Sequence, residues 1–311
     1  MNFFKSRQLS GSLLMVSLSA LLTASSVTTF GVFASAEKAN SEIHSDQIPY
    51  SNPNNRELLD SFVKTFEAGH DYTKWYISNF IIEDDFFQNG WTTDNTIFME
   101  NGDVALALTH RKMAKKPFSG AEYQKKGWSQ YGRYETIMTS APGSGIVTGF
   151  FTHTNDYFKD PHDEIDIEFL GKDTQSVQFN IYRDGREMGG HTIKLPYDAS
   201  EEFHLYAFEW TPTEVRWFID DKLMFTATDR DFDIPDAPQR LMMQIWTGNI
   251  FEWHGKARFA DGASAVFRCV SYTRLNDDSA EKCSDKPELL SQSVVELIEN
   301  GEITKTAQNN N

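Results

Sequence analysis

Residues 162–171 read His162-Asp163-Glu164-Ile165-Asp166-Ile167-Glu168-Phe169-Leu170-Gly171. Side chains in a β-strand alternate between faces, so Glu164, Asp166 and Glu168 share one face and Ile165, Ile167 and Phe169 the other. The apolar face has a destination in a core. The acidic face has none, and three like charges at alternating positions repel one another and weaken the strand. A solvated polar face is the plain explanation for acids there; carboxylate chemistry is the sharper one. On a flat strand positions i and i+4 lie about 13 Å apart at Cα, and side chains leaning together on a curved sheet close most of that distance. The carboxyl gap then approaches the ~5–5.5 Å at which two acids act as nucleophile and acid/base in glycoside cleavage with retention. A proton shared with Asp166 can hold Glu164 as an anion. Its charge can also raise the proton affinity of Glu168, as a general acid near neutral pH requires. Carboxylates this close titrate together.

Such a strand needs a sheet to hold it. From about Trp75 to Leu275, short apolar runs recur between turn signals: Ile97–Met99, Val104–Leu108, Gly132–Met138, Gly145–His153, Val177–Tyr182, His204–Trp210, Val215–Ile219, Leu241–Trp246 and Ala265–Tyr272. Many alternate with period two; His204, Tyr206, Phe208 and Trp210 fall on one face, and Phe208 and Trp210 read as core. Turns such as Asn101-Gly102-Asp103 and Asp184-Gly185 separate the runs. The pattern predicts an all-β fold, an antiparallel jelly-roll β-sandwich. No repeat of the length of a propeller blade is present.

The whole chain has 311 residues, 45 Asp+Glu against 29 Lys+Arg, and a formal charge of −16. That balance disfavours nucleic acid and anionic membrane surfaces as partners, since both require basic patches. A neutral or weakly charged substrate suits it. Lys5 and Arg7, an apolar stretch around Leu13 to Ala24 and Ala34-Ser35-Ala36 form the pattern of a cleaved secretory signal peptide over residues 1–36. The alternative, a membrane anchor, is opposed by the Ser and Thr that interrupt the stretch. The expected localisation is secreted or periplasmic. In an oxidising compartment Cys269 and Cys283, the two cysteines of the chain, are expected to form a disulfide that closes a short loop. Residues 37–60 are polar, with Asn52-Pro53-Asn54-Asn55 as a breaker, and read as a flexible linker. Residues 61–275 read as the functional domain and 276–311 as a tail. In the tail Leu290, Val294, Leu297 and Ile298 lie at helical spacing between Pro287 and Glu299, which predicts a short C-terminal helix.

The acidic segment resembles the active-site strand of family 16 glycoside hydrolases, Glu-x-Asp-x-Glu, and within that family the lichenases and the succinoglycan-type exopolysaccharide depolymerases. The likeness spans about residues 75–275. It includes Gly145–Thr152, Gly171–Thr174, Val177–Tyr182, Gly189-Gly190-His191, Phe203–Trp210 and Met242–Trp246, in order. The resemblance implies a concanavalin-like jelly-roll with a concave glycan-binding face, and an endo-acting, retaining enzyme that works as a monomer on a polysaccharide. It implies Glu164 as nucleophile, Asp166 as its helper and Glu168 as acid/base. It assigns Glu122, Phe151, His162, Asn180, Tyr182, Trp246 and Trp253 to the glycan. Aromatic faces stack on sugar C–H faces while a few polar groups fix orientation.

The departures bear on specificity. His162 stands where lichenases have Trp, Gln124 where they have Arg, His153 where they have Tyr and Thr247 where they have Asn. Ile81–Asp85 does not keep their Tyr-Ser-Asn pattern. The expected substrate is a β-1,3-1,4-glucan; a bacterial exopolysaccharide such as succinoglycan is the alternative. A non-catalytic carbohydrate-binding protein is disfavoured because both Glu are present. No catalytic metal or cofactor is expected. Family members often bind a structural calcium through an Asp of the last strand, but Arg268 aligns there, and a cation opposes calcium.

Overall fold

The computed structural model describes residues 56–290. The segment read as a signal peptide, most of the linker and the tail positions Val294, Leu297 and Ile298 lie outside the described residues. In chain order the strands of the first half are β1 (Phe62–Thr65), β2 (Trp75–Ile77), β3 (Asn89–Trp91), β4 (Thr96–Phe98), β5 (Val104–Leu108), β6 (Phe118–Lys125), β7 (Gly132–Thr139) and β8 (Val147–Thr154). They continue as β9 (Asp163–Leu170), β10 (Ser176–Arg183), β11 (Arg186–Glu187), β12 (His191–Lys194), β13 (His204–Trp210), β14 (Glu214–Ile219), β15 (Lys222–Thr228), β16 (Arg240–Trp246) and β17 (Ala263–Arg274). One helical turn, α1 (Phe251–His254), precedes β17.

The strands make two sheets. The back sheet runs β15-β14-β13-β7-β17-β5-β4, with β1 also on β17; the front sheet runs β11-β10-β9-β8-β16-β6-β2, with β12 on β10 and β3 on β6. All neighbours are antiparallel except β3 and β6. This is the jelly-roll sandwich that the alternation predicts. Every apolar run singled out above lies in a strand, to within a few residues at its ends. Strands β1, β2, β3, β6, β11, β12 and β15 are missing from those runs, and β6 is the longest of them. Strand β6 carries Glu122 and Gln124 on one face, so its hydrophobic signal is weak.

The core lies between the sheets. Ile165, Ile167 and Phe169 of β9 face it, against Tyr206, Phe208 and Trp210 of β13, with Trp217 of β14. Burying a side chain of this size stabilises the fold by about 1.5–3 kcal/mol. The Trp217 indole donates to the backbone carbonyl of Asp166 at 3.0 Å, so the acidic strand is gripped from its apolar side. Asp163, at the start of β9, is fully buried. It accepts from Arg183 at 2.6 Å and from the backbone N–H of Asp184, Asp236 and Ala237 at 3.0–3.3 Å. Asp184 and Gly185 form the turn between β10 and β11 with φ of 52° and 72°, a left-handed pair that matches strand twist. Gly185 N–H then donates to the His162 carbonyl at 2.8 Å.

One expectation about the ends changes. Residues 56–60 are not a flexible linker. Arg56 ion-pairs with Asp160, donates to the Phe158 carbonyl at 2.6 Å and lies 3.7 Å over the Trp128 ring. Leu59 N–H donates to the Trp128 carbonyl at 2.7 Å. A cation, a ring and a backbone bond together outweigh the polar composition that suggested a linker. The tail, too, is pinned. Cys269 of β17 and Cys283 are bridged, with Cα atoms 5.7 Å apart. The buried Glu135 carboxylate of β7 accepts from Ser284 N–H at 2.9 Å and Ser284 Oγ at 3.0 Å. Leu289 and Leu290 pack on Ile137, Phe203 and Leu205, on the outer face of the back sheet. The described start of the predicted tail helix, Pro287–Leu290, is a 3-10 turn.

Arg268 is buried in the same layer. Its guanidinium donates to Asp103 Oδ1 at 3.2 Å and to the Leu289 carbonyl at 2.7 Å, and lies 3.6 Å over the Phe203 ring. A fixed cation already faces the acid and the carbonyl, so this donor set does not suit calcium.

The bridge closes a short loop on the sheet that lies away from the acidic face. Replacing both cysteines by Ser should lower stability by about 2–4 kcal/mol. Thermal melts should show the loss, while turnover per folded molecule stays unchanged; loss of turnover in a folded double variant would contradict this placement.

Candidate active site

The register of the front sheet converts strand alternation into rows of side chains. Opposite Glu164 stand Tyr182 on β10 and His153 on β8, and opposite His153 stands Arg240 on β16. The next row is Asn180, Asp166, Phe151, Met242 and Gln124. The third is Gln178, Glu168, Gly149, Gln244 and Glu122. All of these point away from the core. Yet Glu122, Asp166, Asn180 and Gln244 are only 2–7% exposed, so the face is a recess lined with polar groups.

The three acids occupy different environments. Burial alone would raise Glu164. His153 Nδ1 at 3.1 Å and His162 Nε2 at 2.6 Å, both on its Oε2, override that and hold the carboxyl well below the usual carboxylate range. Asp166 is raised well above its ordinary value by burial, then by the charges of Glu164 and Glu168, and stays protonated. Glu168 is pushed up to about 8, by burial first and then by Glu164 and Glu187. One anion and two neutral acids therefore line up along β9. The expected role of Asp166, as the proton that holds Glu164 ionised, is shared here by two imidazoles. The sheet also leaves room in front of Glu168. Its neighbour Gly149 has no side chain, and a Cβ there would meet only the Phe151 ring, at 3.3 and 3.6 Å.

The remaining residues assigned from the sequence fall around these rows. The Glu122 carboxylate accepts from Ser78 Oγ and Gln124 Nε2, each at 2.5 Å, and burial raises its pKa. Asn180 donates to Glu187 at 3.2 Å, and Phe151 lies directly across from Asp166. Trp253, on α1, donates to Gln178 Oε1 at 2.7 Å, which sets its indole beside the Glu168 row. Trp246 sits 5.9 Å from Trp253, in an apolar cluster with Phe87 and Trp91. These make an aromatic wall at one end. At the other end Tyr182 stacks on His162, with centroids 4.9 Å apart and planes 15° from parallel. His162, read as a glycan contact, thus touches Glu164 and Tyr182. The sequence reading left out Gln178, Gln244 and Arg240, and marked His153 only as a departure. Extending the alternation of β8, β10 and β16 across the sheet is the signal that finds them.

His153, His162 and Glu164 also bring three potential metal-ligand atoms within 4.8 Å of one another. The mutual hydrogen bonds account for that spacing. What the recess can do chemically is hold one ionised carboxylate and one protonated carboxylic acid on the same strand face, beside space bounded by an aromatic wall.

The sequence profile described as "Glycosyl hydrolases family 16" matches residues 83–262. A "Beta-glucanase" of Paenibacillus macerans is 42% identical over 190 residues, which cover 60% of this chain and 77% of that protein. A "Beta-glucanase" of Bacillus subtilis (strain 168) is 37% identical over 206 residues, 64% of this chain and 83% of that protein. Among solved structures, a prokaryotic β-1,3-1,4-glucanase (lichenase) derived from a mouse hindgut metagenome superposes with a TM-score of 0.66 at 35% identity, covering 70% of this chain and 100% of that one. With its acids set out on one strand of a jelly-roll, the chain belongs to family 16 of the glycosyl hydrolases and is a glycosidase.

Proposed function

We propose that the protein is an exported endo-β-glucanase that cleaves internal bonds of a soluble β-1,3-1,4-glucan with retention of anomeric configuration. The observation that carries this reading is the placement of two carboxyl groups on one recessed face of β9, Glu164 held by the His153 and His162 rings and Glu168 across from Gly149, where burial pushes its pKa up to about 8. In the first step a Glu164 oxygen bonds to the anomeric carbon while Glu168 gives its proton to the departing glycosidic oxygen. In the second, Glu168, now a carboxylate, takes a proton from water, whose oxygen displaces Glu164. Neutral Asp166 lies between them and avoids a second charge beside the nucleophile. The lichenase and β-glucanase relatives support the glucan as substrate. The basic, apolar and Ala34-Ser35-Ala36 succession at the N-terminus supports export. No helix among the described residues is long and apolar enough to cross a membrane. The chemistry uses side-chain acids, and Arg268 opposes a calcium ion in the last strand, so chelators should leave the chemical step intact.

A second reading, depolymerisation of a bacterial exopolysaccharide such as succinoglycan, is favoured by one observation. The end of the recess beside the nucleophile is built from His153, His162 and Tyr182, where lichenases carry Tyr and Trp at the two histidine positions. Product analysis on barley β-glucan, lichenan, laminarin, xyloglucan and succinoglycan separates the two. The first reading requires internal cleavage of the mixed-link glucans; activity confined to succinoglycan establishes the second.

The mechanism has its own tests. Glu168→Ala should reduce turnover about 10²–10⁴-fold. Added azide should then intercept the intermediate and give the β-glycosyl azide. With Glu164→Ala, azide should attack from the vacated side and give the α-azide. An inverted first product anomer, seen by NMR early in hydrolysis, defeats the assignment. The pH profile of kcat/KM should fall as pH rises through about 8, where Glu168 loses its proton. On the acid side it should hold until Glu164 protonates, below the ordinary carboxylate range. An alkaline limb centred near the ordinary carboxylate pKa of about 4.3 would contradict Glu168 as the acid.

A further inference from the structure

We infer that His153 and His162 are a pair of positioning residues that set both the charge and the attacking oxygen of Glu164. The inference rests on the proposed role of Glu164 as nucleophile.

The two rings converge from separate elements onto one atom. His153 Nδ1 is 3.1 Å and His162 Nε2 2.6 Å from Glu164 Oε2. A carboxylate oxygen only accepts, so the facing nitrogen of each ring carries a proton, Nδ1 in His153 and Nε2 in His162. Two N–H donors on Oε2 occupy both of its lone-pair directions. Oε1 receives neither of these two hydrogen bonds and is the oxygen left to bond to carbon. The donors also localise charge: burial without them would push Glu164 upward, as it does Asp166 and Glu168.

Each ring is held in place. His153 is the cross-strand partner of Glu164 on β8, is buried, and has the Phe151 ring edge-on at 6.5 Å. His162 stacks on Tyr182 of β10, and its carbonyl is tied by Gly185 N–H. The rings lie 5.0 Å apart. The surrounding charged and titratable groups are Arg240 across from His153 on β16, Tyr182 on β10, and Asp163 and Asp166 along β9. Asp163 is turned to Arg183, and Asp166 stays protonated. Burial lowers the pKa of His153 despite the neighbouring anion. At neutral pH that ring works through its N–H dipole and keeps a second net charge out of the recess.

The prediction is a displaced acid limb with an intact binding step. In the double variant His153→Phe/His162→Phe the acid limb of kcat/KM should move up by about one pH unit or more, so that at a pH on the wild-type acid limb the rate falls roughly tenfold or more relative to wild type. KM measured on the plateau should change by less than about threefold. His153→Asn/His162→Gln, whose amide N–H groups can reach the same oxygen, should restore most of the wild-type limb. A raised KM with an unmoved limb would make His162 a sugar contact and overturn the inference. So would an amide pair that behaves like the Phe pair. Should the Phe pair fail to fold by circular dichroism, the single variant His162→Phe carries the same test, because His162 lies at the rim of the recess. Azide products from Glu164→Ala, measured alongside, report separately on the nucleophile. Their absence rejects the mechanism itself, whereas normal azide chemistry with an unmoved limb rejects only the histidine pair.

Discussion

Three carboxyl groups at alternate positions of one strand cannot all be charged in a partly dried recess, and the rest of the structure is arranged around that constraint. Like charges in a medium less polar than water repel strongly, and each also resists leaving water. The β9 face resolves this by supporting a single anion. Glu164 keeps its charge because two imidazole N–H groups meet one of its oxygens. Asp166 and Glu168 then retain their protons, partly by burial and partly because Glu164 is ionised. A nucleophile and a general acid thus emerge from side chains of nearly the same chemistry, differentiated by their neighbours.

That division holds only if the strand cannot shift. A slip of one residue would turn the acids into the core. The Trp217 indole on the Asp166 carbonyl fixes β9 from behind. Buried Asp163, with Arg183 and three backbone N–H groups, fixes its start. Ile165, Ile167 and Phe169 fill the core between the sheets and make any other register costly. Catalytic geometry and fold stability therefore draw on the same strand.

The back sheet plays a different part. Its outer face is covered by the tail through the Cys269–Cys283 bridge, the Glu135–Ser284 contacts and Leu289 with Leu290. Arg268 links Asp103 to this layer. These contacts stabilise the sheet whose inner face supports the core, without entering the recess. The N-terminal side is fastened differently, by Arg56 on Trp128 and Asp160.

Strand alternation is a local property of the chain, and it was enough to determine the all-β class, the apolar runs and the shared face of Glu164, Asp166 and Glu168. Cys269 and Cys283 were legible as a pair because the chain offers no other cysteine. The polar strand β6 was hidden, since Glu122 and Gln124 interrupt its apolar pattern while serving the recess. Composition misled at residues 56–60, where one arginine finds an acid and a ring that are remote in sequence. The neighbours of each acid were beyond sequence reasoning. Which side chain stands across from Glu164 depends on the register between β8, β9 and β10, set by turns and by core packing many residues away. The sequence determined that carboxylates would share a surface; only the tertiary structure decided which of them keeps a charge, because proton affinity is fixed by the groups that folding brings into contact.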